Sequence, residues 1–228
     1  MTDQVSQALA DLAREVTTPG AGLDRLRLVE VPFVPEVRLH LAQDATVWWA
    51  RMEARAGVRL PPPFWASAWA GGRAIARYVL DHPAAVAGRR VLDLAAGSGL
   101  VAIAAGKAGA AAVTANDIDP YAVAAITLNA RANAVTVTQS HTDLLDGDGG
   151  DADTVLAGDA FYTGPLTRRV QAFLERAAAR GARVLVGDPA RGHLPTDRWQ
   201  TVTSYQIPPA DAYADAQLTR TNVLRPVQ

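Results

Sequence analysis

The chain of 228 residues has no cysteine, which excludes disulfides, thiolate metal ligands and cysteine nucleophiles together. Lysine is almost missing as well, Lys107 standing alone among 22 basic residues. Arginine and acid nearly balance to a net charge of −1, and no basic run interrupts that balance. Nucleic acid is therefore not the expected partner. No apolar stretch reaches membrane-spanning length; Val101 to Val113 is too short and carries Lys107. The start Met-Thr-Asp-Gln-Val-Ser-Gln lacks the basic and apolar regions of a signal peptide. The expectation is a cytoplasmic protein with no membrane partner. His40, His82 and His141 show no metal-ligand spacing, so no metal site is expected. Neither a Ser-His-Asp set nor a phosphate-cradling G-x-x-x-x-G-K-[ST] loop is visible.

What is present is an ordinary globular composition, 49% hydrophobic and 20% charged, in a chain long enough to bury a sizeable core. Val5, Leu9, Leu12 and Val16 recur at helical spacing over Thr2–Val16, and Thr17-Thr18-Pro19-Gly20 stops that helix. Leu26 to Leu41 reads as interrupted strands, and Ala45 to Ala56 as a helix. Pro61-Pro62-Pro63 is the clearest linker, which divides an N-terminal cap, residues 1–60, from a main domain, residues 61–228. Beyond it helices and strands alternate: helix 70–80, strand 90–94, helix 99–108, strand 112–116, helix 120–133, strand 135–138, strand 154–157, helix 166–180 and strand 182–186. That rhythm predicts an α/β, Rossmann-like, mostly parallel sheet wrapped by helices. Strands 201–206 and 217–224 follow with only a loop between them, which implies an antiparallel hairpin at the sheet edge.

The sharpest local signal is Val91-Leu-Asp-Leu-Ala-Ala-Gly-Ser-Gly99, followed by Asn116-Asp-Ile-Asp-Pro120. A short buried strand stops in a small-residue loop, and a helix starts with its amides facing that loop, a ready site for a polar ligand. Ligands of open parallel sheets lie at the carboxyl ends of the strands, where Asp93, Asp117 and Asp159 all fall. Gly97 to Ala102 also fits the dinucleotide pattern G-x-G-x-x-A, with Asp117 spaced for a ribose contact, so a nicotinamide-dependent oxidoreductase is a rival reading. A pyrophosphate would meet like charge at Asp93, whereas the ammonium and sulfonium of S-adenosylmethionine would meet opposite charge. Asp143 is placed to accept from an adenine amino group, with Leu144 against the ring. Trp69 and the Gly71-Gly72 pair are candidates for the wall of a methionyl pocket.

Together these residues resemble motif I of seven-stranded class I S-adenosylmethionine-dependent methyltransferases, with Ala95 in place of the first glycine beside Gly97 and Gly99. The substitution costs little provided Ala95 needs no positive φ. Asp117-Ile118-Asp119-Pro120 resembles the second-strand signature of that class, and Leu128-Asn129-Ala130 with Asn133 the helix that follows in protein methyltransferases. The resemblance implies seven strands, the last inserted one antiparallel. Trp65-Ala-Ser-Ala-Trp-Ala-Gly-Gly72, Asp159-Ala-Phe-Tyr162 and Gly187-Asp-Pro-Ala-Arg191 narrow it to the electron transfer flavoprotein beta subunit lysine methyltransferase family. That implies a lysine of an electron transfer flavoprotein beta-like or ribosomal protein as acceptor, with Asp159 and Tyr162 catalytic and Trp65 and Arg191 on the substrate side. Arg191 is expected either to face an acidic substrate surface or to pair with Asp188. A small-molecule N- or O-methyltransferase of the same fold is the alternative.

Overall fold

A computed structural model describes residues 3–18, 22–209 and 218–227. Of the segments singled out above, Thr2, the Pro19-Gly20 stop and Gln217 lie outside the described residues. Helix α1 (Asp3–Thr17) buries Val5, Ala8 and Leu12 on one face, as its spacing predicts. Strands β1 (Leu26–Val31) and β2 (Val34–Ala42) form an antiparallel hairpin, turning at Pro32-Phe33, where Phe33 takes φ 76°. Asp44 caps α2 (Ala45–Ala56) by accepting from the amides of Thr46 and Val47. Gly57, at φ 68°, ends it.

The main sheet has seven strands in the order β5-β4-β3-β6-β7-β9-β8. These are β3 (Arg90–Leu94), β4 (Ala112–Asn116), β5 (Thr138–Ser140), β6 (Thr154–Gly158), β7 (Arg183–Asp188), β8 (Trp199–Ile207) and β9 (Thr219–Pro226). Strands β3 to β7 pair in parallel, and β9 runs antiparallel to both β7 and β8. Helices α3 (Ala70–Asp81), α4 (Leu100–Lys107), α5 (Pro120–Ala132) and α6 (Gly164–Ala179) complete the fold. The strand expected at residues 135–138 begins at Thr138 instead. Ala134 takes φ 54° and the Val135 amide donates to Ala130 O at 3.0 Å, so the β-branched alternation finishes a helix end.

One core cluster joins α3 and α4 to the hairpin, whose Val31, Val34, Val37 and Leu39 are fully buried. A second packs Phe173 and Leu174 of α6 with Phe161, Val184 and Trp199. In a third, Leu12, Trp48 and Met52 meet Trp65, Ala122 and Ala125. The hydrophobic side chains of the first 60 residues are thus continuous with those of the main sheet's helices. Glu15, buried in this region, is held by Arg51 and Arg55, the latter at 3.0 Å. No helix among the described residues is long and apolar enough to cross a membrane.

Candidate active site

The loop from β3 to α4 turns tightly because three of its residues are left-handed: Ala95 at φ 53°, Gly97 at 52° and Gly99 at 80°. A Cβ on Gly99 would also stand 3.2 Å from Ile126 Cγ1 of α5, so glycine serves both geometry and packing there. Ala95 does need positive φ, contrary to the condition under which its substitution would be cheap, and it carries a strain of about 1 kcal/mol. Asp93 lies 1% exposed beneath the loop and off the cavity. Its Oδ2 accepts the Ala102 amide at 2.9 Å, satisfying a first-turn donor of α4. Burial, helped by the Asp117 charge, pushes its carboxyl up to about 8.

A cavity of about 290 Å³ opens in front of this loop at the carboxyl ends of the strands. Ala95, Gly97, Asp117, Ile118, Asp143 and Leu144 line it, as do Trp65, Trp69, Asp159, Tyr162 and Arg191; Gly71, Asp93 and Gly99 do not. Asp117 accepts from the Gly97 amide at 2.9 Å and the Asp119 amide at 3.0 Å. With the Ile118 amide also facing it, the carboxylate keeps acceptor capacity for a ligand hydroxyl. Burial raises the carboxyls of Asp117 and Asp119. Asp143 is held by Arg169 at 2.9 Å and by the Leu145 amide at 3.0 Å, and the arginine lowers its carboxyl.

The opposite wall comes from the start of α3. Gly71 is there for space: a Cβ on it would lie 2.2 Å from Gly187 O and 2.8 Å from Asp159 N. This contact seats the helix on the ends of β6 and β7. Asp159, in the left-handed region at φ 53°, accepts the Gly72 amide on Oδ2 at 3.0 Å. Its Oδ1 receives Arg191 Nη1 at 2.5 Å. Arg191 thus pairs with Asp159 rather than with Asp188. Burial raises the Asp159 carboxyl, and the Arg191 charge opposes that rise. The Arg191 guanidinium carbon also stands 5.4 Å from the centre of the Trp69 ring.

Three aromatic rings frame the mouth, with Phe64 6.1 Å from both Trp69 and Tyr162. All three are about half exposed, and Trp69 Nε1 donates to Phe64 O at 2.7 Å. Trp65 serves core and cavity together, packing edge-on against Trp48 at 5.1 Å. Phe64, Asn116, Asp119, Leu145, Leu166 and Arg169 also line the cavity; of these only Asn116 and Asp119 fall in a motif named above, without an assigned ligand role there. Asn116 and Asp119 were findable, since they sit at the end of β4 and the cap of α5. Leu166 and Arg169 come from α6 with no local signature.

The donor set bears on which cofactor fits. A pyrophosphate would need the loop amides, but those of Ala96, Gly97, Gly99 and Ala102 already donate within the protein. Asp117, Asp119 and Asp143 offer acceptors for hydroxyls, an amino group and a cation. The residues present fit S-adenosylmethionine and disfavour a dinucleotide.

The strand order with one antiparallel insertion, and an acceptor-rich cavity at the glycine loop, define a class I methyltransferase. The family model for ribosomal protein L11 methyltransferase (PrmA) matches residues 78–181. The electron transfer flavoprotein beta subunit lysine methyltransferase of Mus musculus is 38% identical over 181 residues, covering 76% of this chain and 70% of that protein. The Homo sapiens protein of the same name is 36% identical over 199 residues, covering 83% and 74%. Magnesium protoporphyrin IX methyltransferase from Synechocystis, solved with bound S-adenosylhomocysteine, shares the fold. Its TM-score is 0.50 at 17% identity, over 69% of this chain and 81% of that one. The chain belongs to the electron transfer flavoprotein beta subunit lysine methyltransferase family. It is an enzyme, an S-adenosylmethionine-dependent methyltransferase.

Proposed function

We propose that the protein methylates a lysine side chain of a protein acceptor, an electron transfer flavoprotein beta-like subunit in the first place. The observation that carries this reading is the half-exposed Phe64–Trp69–Tyr162 frame lining the same cavity as the carboxylate of Asp159. These rings give the cavity an aromatic wall beside the Asp159 acceptor. The relatives' names supply the acceptor class. The match to ribosomal protein L11 methyltransferase keeps a ribosomal protein as second candidate.

S-adenosylmethionine supplies an activated methyl group when bound. Asp117 would hold its ribose hydroxyls, and Asp143 with Leu144 its adenine. Ala95, Gly97 and Ile118 would line the rest of the contact, with Gly99 and Asp93 holding the loop from behind. Trp69 would wall the methionyl end, on a helix start that Gly71 seats against Gly187. Lysine must be neutral to react, and deprotonating it at pH 7 costs about 4.6 kcal/mol from a model value near 10.4. The aromatic frame disfavours the ammonium by desolvation. Asp159 orients the amine by accepting one of its N–H bonds, and Tyr162 and Trp69 hold the alkyl chain in line. Trp65 fixes this wall to the core. Residues 1–60 form a substrate-side extension of the methyltransferase unit 61–228.

The test is incubation with labelled S-adenosylmethionine and purified beta subunit, ribosomal protein L11 or whole lysate, with protein and small molecules resolved afterwards. Label in a protein lysine is expected; label only in small molecules refutes the reading. Asp159→Asn should lower transfer by about a hundredfold or more while S-adenosylhomocysteine affinity stays within a few-fold. Loss of cofactor binding instead would show that Asp159 serves the cofactor.

A further inference from the structure

We propose that Arg191 is a positioning residue for methyl transfer. It cancels the charge of Asp159, so the carboxylate can accept from the incoming amine without holding that amine as an ammonium ion. This rests on the lysine reading above. A lone carboxylate at the base of the mouth would work against the chemistry, because it favours the protonated amine, and the amine reacts only after giving its proton to solvent. The structure places a cation on that carboxylate. Arg191 Nη1 meets Asp159 Oδ1 at 2.5 Å, and the guanidinium carbon stands over the Trp69 ring, 5.4 Å from its centre. The Asp159 side chain is 9% exposed, so its end of the pair is shielded from water, while the Arg191 end is 36% exposed. Oδ2 takes the Gly72 amide at 3.0 Å, with the Gly71 amide beside it, which still leaves acceptor capacity on the carboxylate for an amine N–H.

The other groups around Asp159 do not replace Arg191. From the start of α3 come the amides of Gly71 and Gly72 and the neutral Trp69, while the Arg73 guanidinium of the same helix donates to Pro208 O at 2.7 Å. From β7 comes Asp188, buried, with its Oδ1 on the Ala190 amide at 2.6 Å. Its negative charge adds to that of Asp159. Tyr162 follows in the same loop as Asp159, and burial with the Asp117 charge across the cavity raises its hydroxyl, keeping it neutral. His193 lies two residues beyond Arg191 and is exposed. Among the described residues, Arg191 is the cation that forms an ion pair with Asp159.

The test compares wild type with Arg191→Gln, Arg191→Lys and Asp159→Asn, using purified electron transfer flavoprotein beta subunit as acceptor. The pH profile of kcat reports groups of the bound complex, and that of kcat/KM the free amine. In R191Q the limb of kcat that rises with pH should move up by about one to three pH units. That lowers kcat at pH 7 about tenfold for each unit, while the kcat/KM limb stays in place. R191K should bring the kcat limb back, and S-adenosylhomocysteine affinity should stay within a few-fold throughout. A limb that does not move in R191Q, with KM alone raised, overturns the proposal and makes Arg191 a simple substrate contact. Independently of any acceptor, carbon-13 NMR of the Asp159 carboxyl should show it ionising at higher pH in R191Q than in wild type. An unchanged titration also overturns it. The two readings fail separately. If D159N keeps wild-type kcat, or wild type labels no protein lysine in the beta subunit, ribosomal protein L11 or lysate, the lysine assignment fails. If D159N is inactive while the R191Q limb stays put, only the role of Arg191 fails.

Discussion

Replacing Asp93 with asparagine should stabilise the protein, and increasingly so as pH rises. Asp93 is 1% exposed and receives the Ala102 amide at 2.9 Å, which does not repay its desolvation. Its carboxyl sits at about 8 in the folded chain against 3.8 when unfolded. A carboxyl raised on folding gives stability that is whole below the unfolded value and is lost as pH climbs towards the folded one. Over that window of about four units the wild type should lose on the order of 6 kcal/mol, about 1.4 kcal/mol per unit. Asparagine keeps an acceptor for the Ala102 amide and carries no charge, so Asp93→Asn should lack this slope. The assay is urea unfolding at pH 5, 6, 7 and 8, with the stability difference between variant and wild type plotted against pH. The difference should widen with pH and level off near 8. Parallel profiles would refute the claim that Asp93 is held neutral by burial. Because Asp93 does not line the cavity, S-adenosylhomocysteine affinity should stay within a few-fold. A hundredfold loss in a folded variant would mean that the carboxylate reaches the cofactor after all.

Gly71→Ala puts a Cβ 2.2 Å from Gly187 O and 2.6 Å from Asp159 Oδ2. It should cost about 3 kcal/mol or more, seen as a fall of at least about 6 °C in the melting temperature. Ala95→Gly relieves a left-handed alanine at φ 53°. It should raise stability by up to about 1 kcal/mol, about 2–4 °C in a thermal melt. Asn129→Ala removes the buried amide that donates to Ser98 O at 2.8 Å and accepts the His40 amide at 2.8 Å. Leaving both unpaired should cost about 2–4 kcal/mol by denaturant titration, with weaker S-adenosylhomocysteine binding by calorimetry as the loop loosens.

The legible parts of the site were those whose chemistry is local. Asp117 was expected at the cavity because it directly follows a parallel strand, and Asp143 and Leu144 because they lie in the loop after the next one. Asp93 obeyed the same rule on paper. Yet its carboxylate turns under the loop to a helix amide nine residues on, a choice made by the backbone path and not by strand position. Val135 and Val137 read as strand because β-branched residues favour strands. Tertiary packing of Val135 behind a helix end overrode that preference. Arg169 and Leu166 had no signal, since what places them at the cavity is the packing of α6 on the sheet.

By itself, the sequence determined the alternating elements, the glycine loop, the acidic strand ends and the resemblance that pointed to S-adenosylmethionine. These depend on hydrophobic period, φ preference and short spacing, all carried by neighbours in the chain. Only the tertiary structure decided that Arg191 meets Asp159 across 32 positions, and that Gly71 exists to let α3 touch Gly187. It also decided that Phe64 completes the mouth with Trp69 and Tyr162. Such contacts are set where separate elements come together, at distances of a few ångströms that no spacing along one chain encodes.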